Sequence, residues 1–183
     1  MSYGLRDVLL ACEEFADQGT ATTGGPFDTF NDLLATYRSE KSLDAGDLPD
    51  IALWTLDPYS AGKFPLGYIV PEGGSGEVDF NQHNFEHRVT WGFEVPDSKV
   101  DGSYLGGMLA CAAYIDVLLR MLVRRGSADN SGSGHTLNLG GTSAPGAITN
   151  VRIDGYTIAP FVDPDTPHFF AEVQTTIEVD QEQ

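Results

Sequence analysis

The fold is decided by residues 85–95, FEHRVTWGFEV, which lead through Pro96-Asp97-Ser98 into residues 103–125, SYLGGMLACAAYIDVLLRMLVRR. In the first segment the odd-numbered positions are mostly apolar and the even-numbered ones are mostly polar, a period of two that predicts a strand with one buried face. In the second segment apolar residues recur every three or four positions, which predicts an α-helix with one apolar stripe. The change of period therefore predicts a helix laid across a sheet.

The rest of the chain supplies further helices and strands. A helix is predicted over 3–17, closed by Gly19, and a short helix inside 20–46 is predicted to be capped by Asp28 or Thr29. Glycine and proline at 71–77, PEGGSGE, predict a turn or a flexible loop. The tract 126–147 is polar and rich in glycine, which is typical of a loop. Strands are predicted at 51–56, 66–70, 151–161 and 168–179.

These elements predict the α+β class, with a mostly antiparallel sheet and with one long helix and an N-terminal helix packed on one of its faces. A chain of 183 residues fits a single domain, 1–183, with long loops at about 20–46 and 126–147. Cys12 and Cys111 each lie in a predicted helix among apolar neighbours, so we expect two buried free thiols and a reducing compartment. We expect neither a secretory signal nor a membrane-spanning segment.

The charge is strongly negative. Twenty-seven Asp and Glu residues stand against ten Lys and Arg residues, for a net charge of −17. Because such a surface repels phosphate, we expect no tight binding to nucleic acid. Two interpretations remain open: the charge keeps the protein soluble, as in a high-salt setting, or it lets nucleic acid pass without sticking.

No motif predicts catalysis or a cofactor. His83 and His87 are four residues apart, a metal-ligand spacing on a helix, but on the predicted strand they would be roughly 13 Å apart. The glycine clusters lack the lysine and the strand-to-helix context of a phosphate-binding loop. We therefore expect no enzyme activity, no metal and no cofactor.

Three stretches resemble the tail terminator, or tail completion, proteins of long-tailed bacteriophages and related archaeal viruses. They are DLPDIALW at 47–54, the strand and helix at 86–125, and the closing strands, with Gly155-Tyr156 in the first and the alternation from Phe170 to Val179 in the second. With the N-terminal helix they cover about two thirds of the chain in matching order.

The resemblance implies a structural virion protein that forms a closed six-fold ring on the end of the tail tube. Such a ring stops tube polymerisation and joins the tail to the head connector at the tail–neck junction, after assembly in the host cytoplasm. Its partners would be other copies of this chain, the tube protein and a head-completion or connector protein, with DNA passing through and no membrane contact. Head-to-tail closure needs two different edges on each subunit. The expected edge residues are Ile51, Leu53, Leu66 and Tyr68.

The polar sides of the strands at 85–95 and 168–179 carry four glutamates that we expect to line an acidic lumen, where like charge repels DNA; the alternative is that these faces are only solvated exterior. They are Glu86, Glu94, Glu172 and Glu178. The nearest alternative is a head-completion or connector adaptor protein of the virus neck. A remote alternative is a small-ligand-binding domain, with Trp54, Tyr68 and Trp91 as the walls of a cleft between helix and sheet.

Overall fold

In the described part of the chain, helices pack against a five-stranded sheet. The computed structural model describes residues 4–17, 29–57, 62–78, 82–96, 104–124, 148–161 and 168–182. The described helices are α1 (Leu5–Asp17), α2 (Phe30–Lys41) and α3 (Tyr104–Arg124). The described strands are β1 (Leu53–Thr55), β2 (Leu66–Val78), β3 (Gln82–Pro96), β4 (Ile148–Phe161) and β5 (His168–Glu182). Their order in the sheet is β1-β2-β3-β5-β4. Only the β1–β2 pair is parallel among these, so the predicted α+β class is confirmed.

Strand β3 lies at the centre of the sheet. It pairs with β5 along its whole length, from Gln82 opposite Glu182 to Pro96 opposite His168, and with β2 on its other side. The predicted alternation is present, because one face of β3 buries a continuous row of apolar side chains. That row consists of Val89, Trp91, Phe93 and Val95.

The helices cover this apolar face. Helix α1 packs on β1, β2 and β3, helix α3 packs on β3, β4 and β5, and helix α2 packs on α3. Aromatic rings join the layers: the ring of Tyr114 in α3 stacks on Phe93 with centroids 5.4 Å apart, and Phe15 in α1 meets Trp91 edge-on at 6.4 Å. Such aromatic pairs add about 0.5–1.5 kcal/mol each beyond the burial of their apolar area.

A buried threonine ties β3 to β5 inside this apolar layer. The indole Nε1 of Trp91 donates to Thr175 Oγ1 at 3.0 Å, and the Thr175 hydroxyl donates to the carbonyl of Val89 at 3.0 Å. Both side chains are fully buried. A buried polar group without a partner costs about 1–3 kcal/mol of stability. These two bonds remove that cost for the hydroxyl and the indole in the core.

Helix α2 begins at a capping box. Thr29 Oγ1 accepts from the Asp32 backbone N–H at 3.2 Å, while the Asp32 carboxylate accepts from the Thr29 backbone N–H at 2.8 Å. Thr29, and not Asp28, is therefore the N-cap; Asp28 is outside the described residues. The short helix predicted inside the segment 20–46 is confirmed, because α2 occupies residues 30–41.

The segment 71–77 is a strand, and the prediction of a turn or flexible loop there is wrong. Residues 66–78 form β2 without interruption, with a bulge between Pro71 and Gly73. Gly73 has φ 142°, a conformation that side-chain-bearing residues rarely adopt, and a Cβ on Gly74 would lie 2.7 Å from the carbonyl oxygen of Glu86. The glycines therefore allow the bulge and the close approach to β3, while pairing with β3 supplies the order that the local sequence lacks.

Cys12 and Cys111 are buried thiols that form no disulfide, as predicted. Burial raises the pKa of the Cys111 thiol to about 12, so it stays protonated at neutral pH. The predicted cap at Gly19 and the predicted loop at 126–147 lie outside the described residues.

Gly107→Ala tests how tightly α3 packs on β5. A Cβ at this position would lie 2.2 Å from the Phe169 ring. Alanine is favoured over glycine by about 1 kcal/mol in a helix, but overpacking costs about 1–3 kcal/mol. Because a 2.2 Å approach to a buried ring lies at the upper end of that range, we expect the free energy of unfolding, measured by chemical denaturation, to fall by about 1–2 kcal/mol.

The matched control is Gly62→Ala, because a Cβ there has no atom within 4 Å. We expect a change within about 0.5 kcal/mol. Equal stability of Gly107→Ala and the wild type would show that the helix sits farther from the sheet than described.

Candidate functional site on the polar face of the sheet

The candidate site is the sheet face opposite the helices, here named the polar face. The registers of β3 and β5 fix its residues, because directly paired residues point to the same side of a sheet. The residues of β2 and β4 that pair with these positions extend the polar face to either side. Along β3 and β5 the pairs are Glu86 with Glu178, Arg88 with Thr176, Thr90 with Gln174, Gly92 with Glu172, and Glu94 with Phe170.

All four glutamates predicted from the alternation lie on the polar face. They fall into two groups: Glu94 and Glu172 lie near one end, and Glu86 and Glu178 pair directly at the other. Eight residues of strand separate Glu86 from Glu94, which is roughly 27 Å. The four carboxylates therefore mark the two ends of one face and do not form a single cluster.

At the first end each glutamate has a hydrogen-bond partner. The phenol of Tyr68 donates to Glu172 Oε1 at 2.8 Å, and His168 Nδ1 contacts Glu94 Oε1. Burial, and then the hydrogen bond to Glu172, raise the pKa of Tyr68 above its ordinary value, so the phenol is a donor and not a base. This end of the face is a half-buried polar network.

Glycine at position 92 makes room for this network. The Tyr68 ring lies over Gly92, and a Cβ there would fall 1.9 Å from the ring. No local sequence pattern placed Tyr68 on this face. A glycine in the middle of an alternating strand was the available signal, since such a glycine often marks the close approach of another group.

Toward the second end the face carries cations as well as carboxylates. Arg152 Nε donates to Asp154 Oδ1 at 2.9 Å, and the Thr176 hydroxyl donates to Asp154 Oδ2 at 2.6 Å. The bond from Thr176, and then the one from Arg152, hold the pKa of Asp154 below its ordinary value. Beyond them, Asn150 Nδ2 donates to Glu178 Oε1 at 3.3 Å. The polar face is thus acidic at both ends and mixed in charge between them.

The bulge in β2 adds one more carboxylate to this layer. Glu72 Oε1 accepts from the Thr90 hydroxyl, and Thr90 is buried although it lies on the polar face. Hydrogen-bonded carboxylates, a protonated phenol and an arginine paired with an aspartate suit a surface of fixed charge.

The predicted histidine pair lies on β3, since both His83 and His87 belong to Gln82–Pro96. Burial lowers the pKa of His87, which keeps its ring neutral. Within the part of the chain that the structure describes, no three His, Cys, Asp or Glu side chains are grouped to hold a metal ion. In the same part, no helix is long and apolar enough to cross a membrane.

Two of the four expected edge residues are not at an edge. Leu66 and Tyr68 lie where β2 is paired with β1 on one side and β3 on the other, and both are buried. Leu53 does lie on an edge strand, β1. Ile51 precedes β1 and is buried, with its backbone N–H and C=O both bonded to the Asn31 side-chain amide. The edge prediction is therefore wrong for Leu66 and Tyr68, because it treated β2 as an outer strand.

The three residues expected to line a ligand cleft do not meet. Trp54 and Trp91 pack against each other in the core, with ring centroids 6.3 Å apart, whereas Tyr68 lies on the polar face. A sheet separates them, so that version of a ligand site is wrong.

A scan of protein-family models gives no match to this chain, and a search of curated proteins gives none either.

Tyr68→Phe tests the hydrogen bond to Glu172. Removing the hydroxyl leaves a half-buried carboxylate without this donor, so we expect the free energy of unfolding to fall by about 1–2 kcal/mol at neutral pH. Tyr156→Phe is the control, because Tyr156 is 63% exposed, and we expect it to change stability by less than about 0.5 kcal/mol.

The same pair of variants gives a pH test. Because the folded-state pKa of Tyr68 is raised, its protonated phenol stabilises the fold fully below the unfolded pKa of about 10, and this contribution is lost as the pH rises toward the folded value. Wild-type stability should therefore fall more steeply above about pH 10 than that of Tyr68→Phe. Parallel pH profiles would contradict the burial of this phenol.

Proposed function

We propose that this chain is a structural virion protein that forms a closed ring, a hexamer, at the end of a viral tail tube. The ring ends tube polymerisation and joins the tail to the head connector. The observation that carries the proposal is the two-sided sheet: the described helices cover one face, and the other is a polar face with acidic ends. The order of helices and strands supports the same proposal, because the sequence resembles the tail terminator proteins in this order.

A two-sided sheet suits a ring subunit around DNA. A ring needs an outer layer that makes the fold stable and an inner surface that does not hold the DNA. Here α1 and α3 supply the first on the apolar face of the sheet. Glu86 and Glu178, paired at one end of the polar face, supply like charge that repels phosphate where salt screening is incomplete.

The fixed hydrogen bonds of the polar face support the same role. A lumen must keep its shape while a polymer slides past, and side chains that are hydrogen-bonded to each other have fewer free donors and acceptors to offer a passing base or phosphate. Tyr68 with Glu172 and Asp154 with Thr176 are bonds of this kind. Arg152 is held by Asp154, so this cation is neutralised locally.

The experiment is tube assembly in solution. Purified tail tube protein is polymerised with and without this chain, and tube lengths are measured by negative-stain electron microscopy. We expect tubes to become shorter and uniform in length as the chain is added, with extra density at one end of each tube. The control is an unrelated protein of equal size and similar net charge, which should leave the length distribution unchanged.

Unchanged tube lengths, together with binding of the chain to the head connector in a pull-down, would contradict the tail-terminator role and support the connector-adaptor alternative. Binding to neither partner would contradict both roles in the virus neck.

A further inference from the structure

Strand β4 is an edge strand whose apolar side chains are incompletely covered. It is the last strand in the sheet order and pairs with β5. From Asn150 to Ala159 every side chain is at least partly exposed, whereas the β5 residues opposite its helix-side positions are buried. Tyr156 is 63% exposed on that side, directly opposite the buried Val173. The helix layer thus covers the outermost strand only in part.

The opposite edge of the sheet is different in shape but also exposes large apolar side chains. It consists of β1, which pairs with only three residues of β2, Leu66 to Tyr68. Leu53 in β1 is 37% exposed, and Leu10 is 39% exposed on α1, the helix that packs on β1. The chain therefore has two unlike edges, each of which leaves apolar surface to be buried.

Neither edge strand carries a net charge, although the chain has a net charge of −17. The charged residues of β4 are Arg152 and Asp154, which form an ion pair, and β1 carries no charged residue. Two copies of a strongly acidic protein repel each other least where their contact is made by strands without net charge. A basic partner would gain little from such strands, which points to a second copy as the occupant.

We propose that the β4 edge of one copy docks on the β1 edge of the next copy, so that their sheets join edge to edge. This inference rests on the ring of the proposed function and names its contact. Within one sheet β4 runs opposite to β1. A copy rotated about an axis parallel to the strands therefore presents β1 antiparallel to β4, and backbone pairing across the joint is possible.

The bulges in β4 limit where this pairing takes place. Its register with β5 shifts between Ile148 and Asn150 and again between Ile153 and Gly155, and it is regular from Gly155 to Phe161. Bulges discourage unselective edge pairing, so the regular stretch is the docking segment. There Tyr156 comes next to α1 of the neighbouring copy, the helix that exposes Leu10. Two different edges that join head to tail close into a ring, whereas a contact between two identical edges stops at a dimer.

The test uses two single variants, each of which blocks one edge with a carboxylate. Tyr156→Glu blocks β4 and Leu53→Glu blocks β1. Leu109→Glu is the control, because Leu109 is 60% exposed on α3 and lies on neither edge. The oligomeric state is measured by sedimentation and native mass spectrometry at concentrations where the wild type assembles, alone or on tube protein. Circular dichroism checks that each variant is folded.

We expect each edge variant alone to remain monomeric, with association weakened by about tenfold or more, while Leu109→Glu assembles like the wild type. An equimolar mixture of Tyr156→Glu and Leu53→Glu should form dimers and nothing larger, because each dimer keeps one intact joint and two blocked edges. If Tyr156→Glu melts early, Tyr156→Ser replaces it and should weaken assembly in the same direction.

Dimers formed by Leu53→Glu alone would overturn the proposal in favour of a β4–β4 contact. Rings formed by both edge variants would overturn it while leaving the proposed function intact. A wild-type chain that stays monomeric with and without tube protein would overturn the ring, and this inference with it.

Discussion

The structure depends on the central strand β3 being paired on both sides while its two faces meet different surroundings. Full-length pairing with β5 and pairing with β2 satisfy its backbone, so every side chain of the strand is committed to one face or the other. A shift of one residue would move Trp91 and Phe93 to the polar face and Glu94 to the core. The shift would also break two hydrogen bonds, from Trp91 to Thr175 and from Thr175 to Val89. These bonds therefore help to select the observed register.

Local patterns predicted much of this fold. The alternation in 85–95 and the helical period in 103–125 predicted β3 and α3, because each depends on side chains that are close in sequence. Thr29 was one of two predicted caps, and the capping box involves residues only three positions apart. What the sequence could not show was long-range pairing: residues 71–77 look like a loop and are ordered by β3.

Only the part of the candidate site that depends on local sequence was predicted. The four glutamates follow the alternation, so their common face was predictable. The partner of Glu172 is Tyr68, 104 residues away in the chain, and no local pattern connects them. The strand order was equally invisible, which is why Leu66 and Tyr68 were expected at an edge that is in fact formed by β1. These differences share one cause, since sheet order brings together residues from distant parts of the chain.

The proposed ring subunit rests on three physical features: an apolar face covered by helices, a polar face of fixed charges, and two edge strands without net charge on an acidic chain. The orientation of the sheet in the ring decides between this proposal and its alternatives, and cryo-electron microscopy of the assembled ring measures that orientation. The proposed orientation predicts six-fold symmetry, with α1 and α3 on the outside and Glu86 and Glu178 facing the central hole. A ring with the helices lining the hole and these glutamates on the outer wall would contradict it.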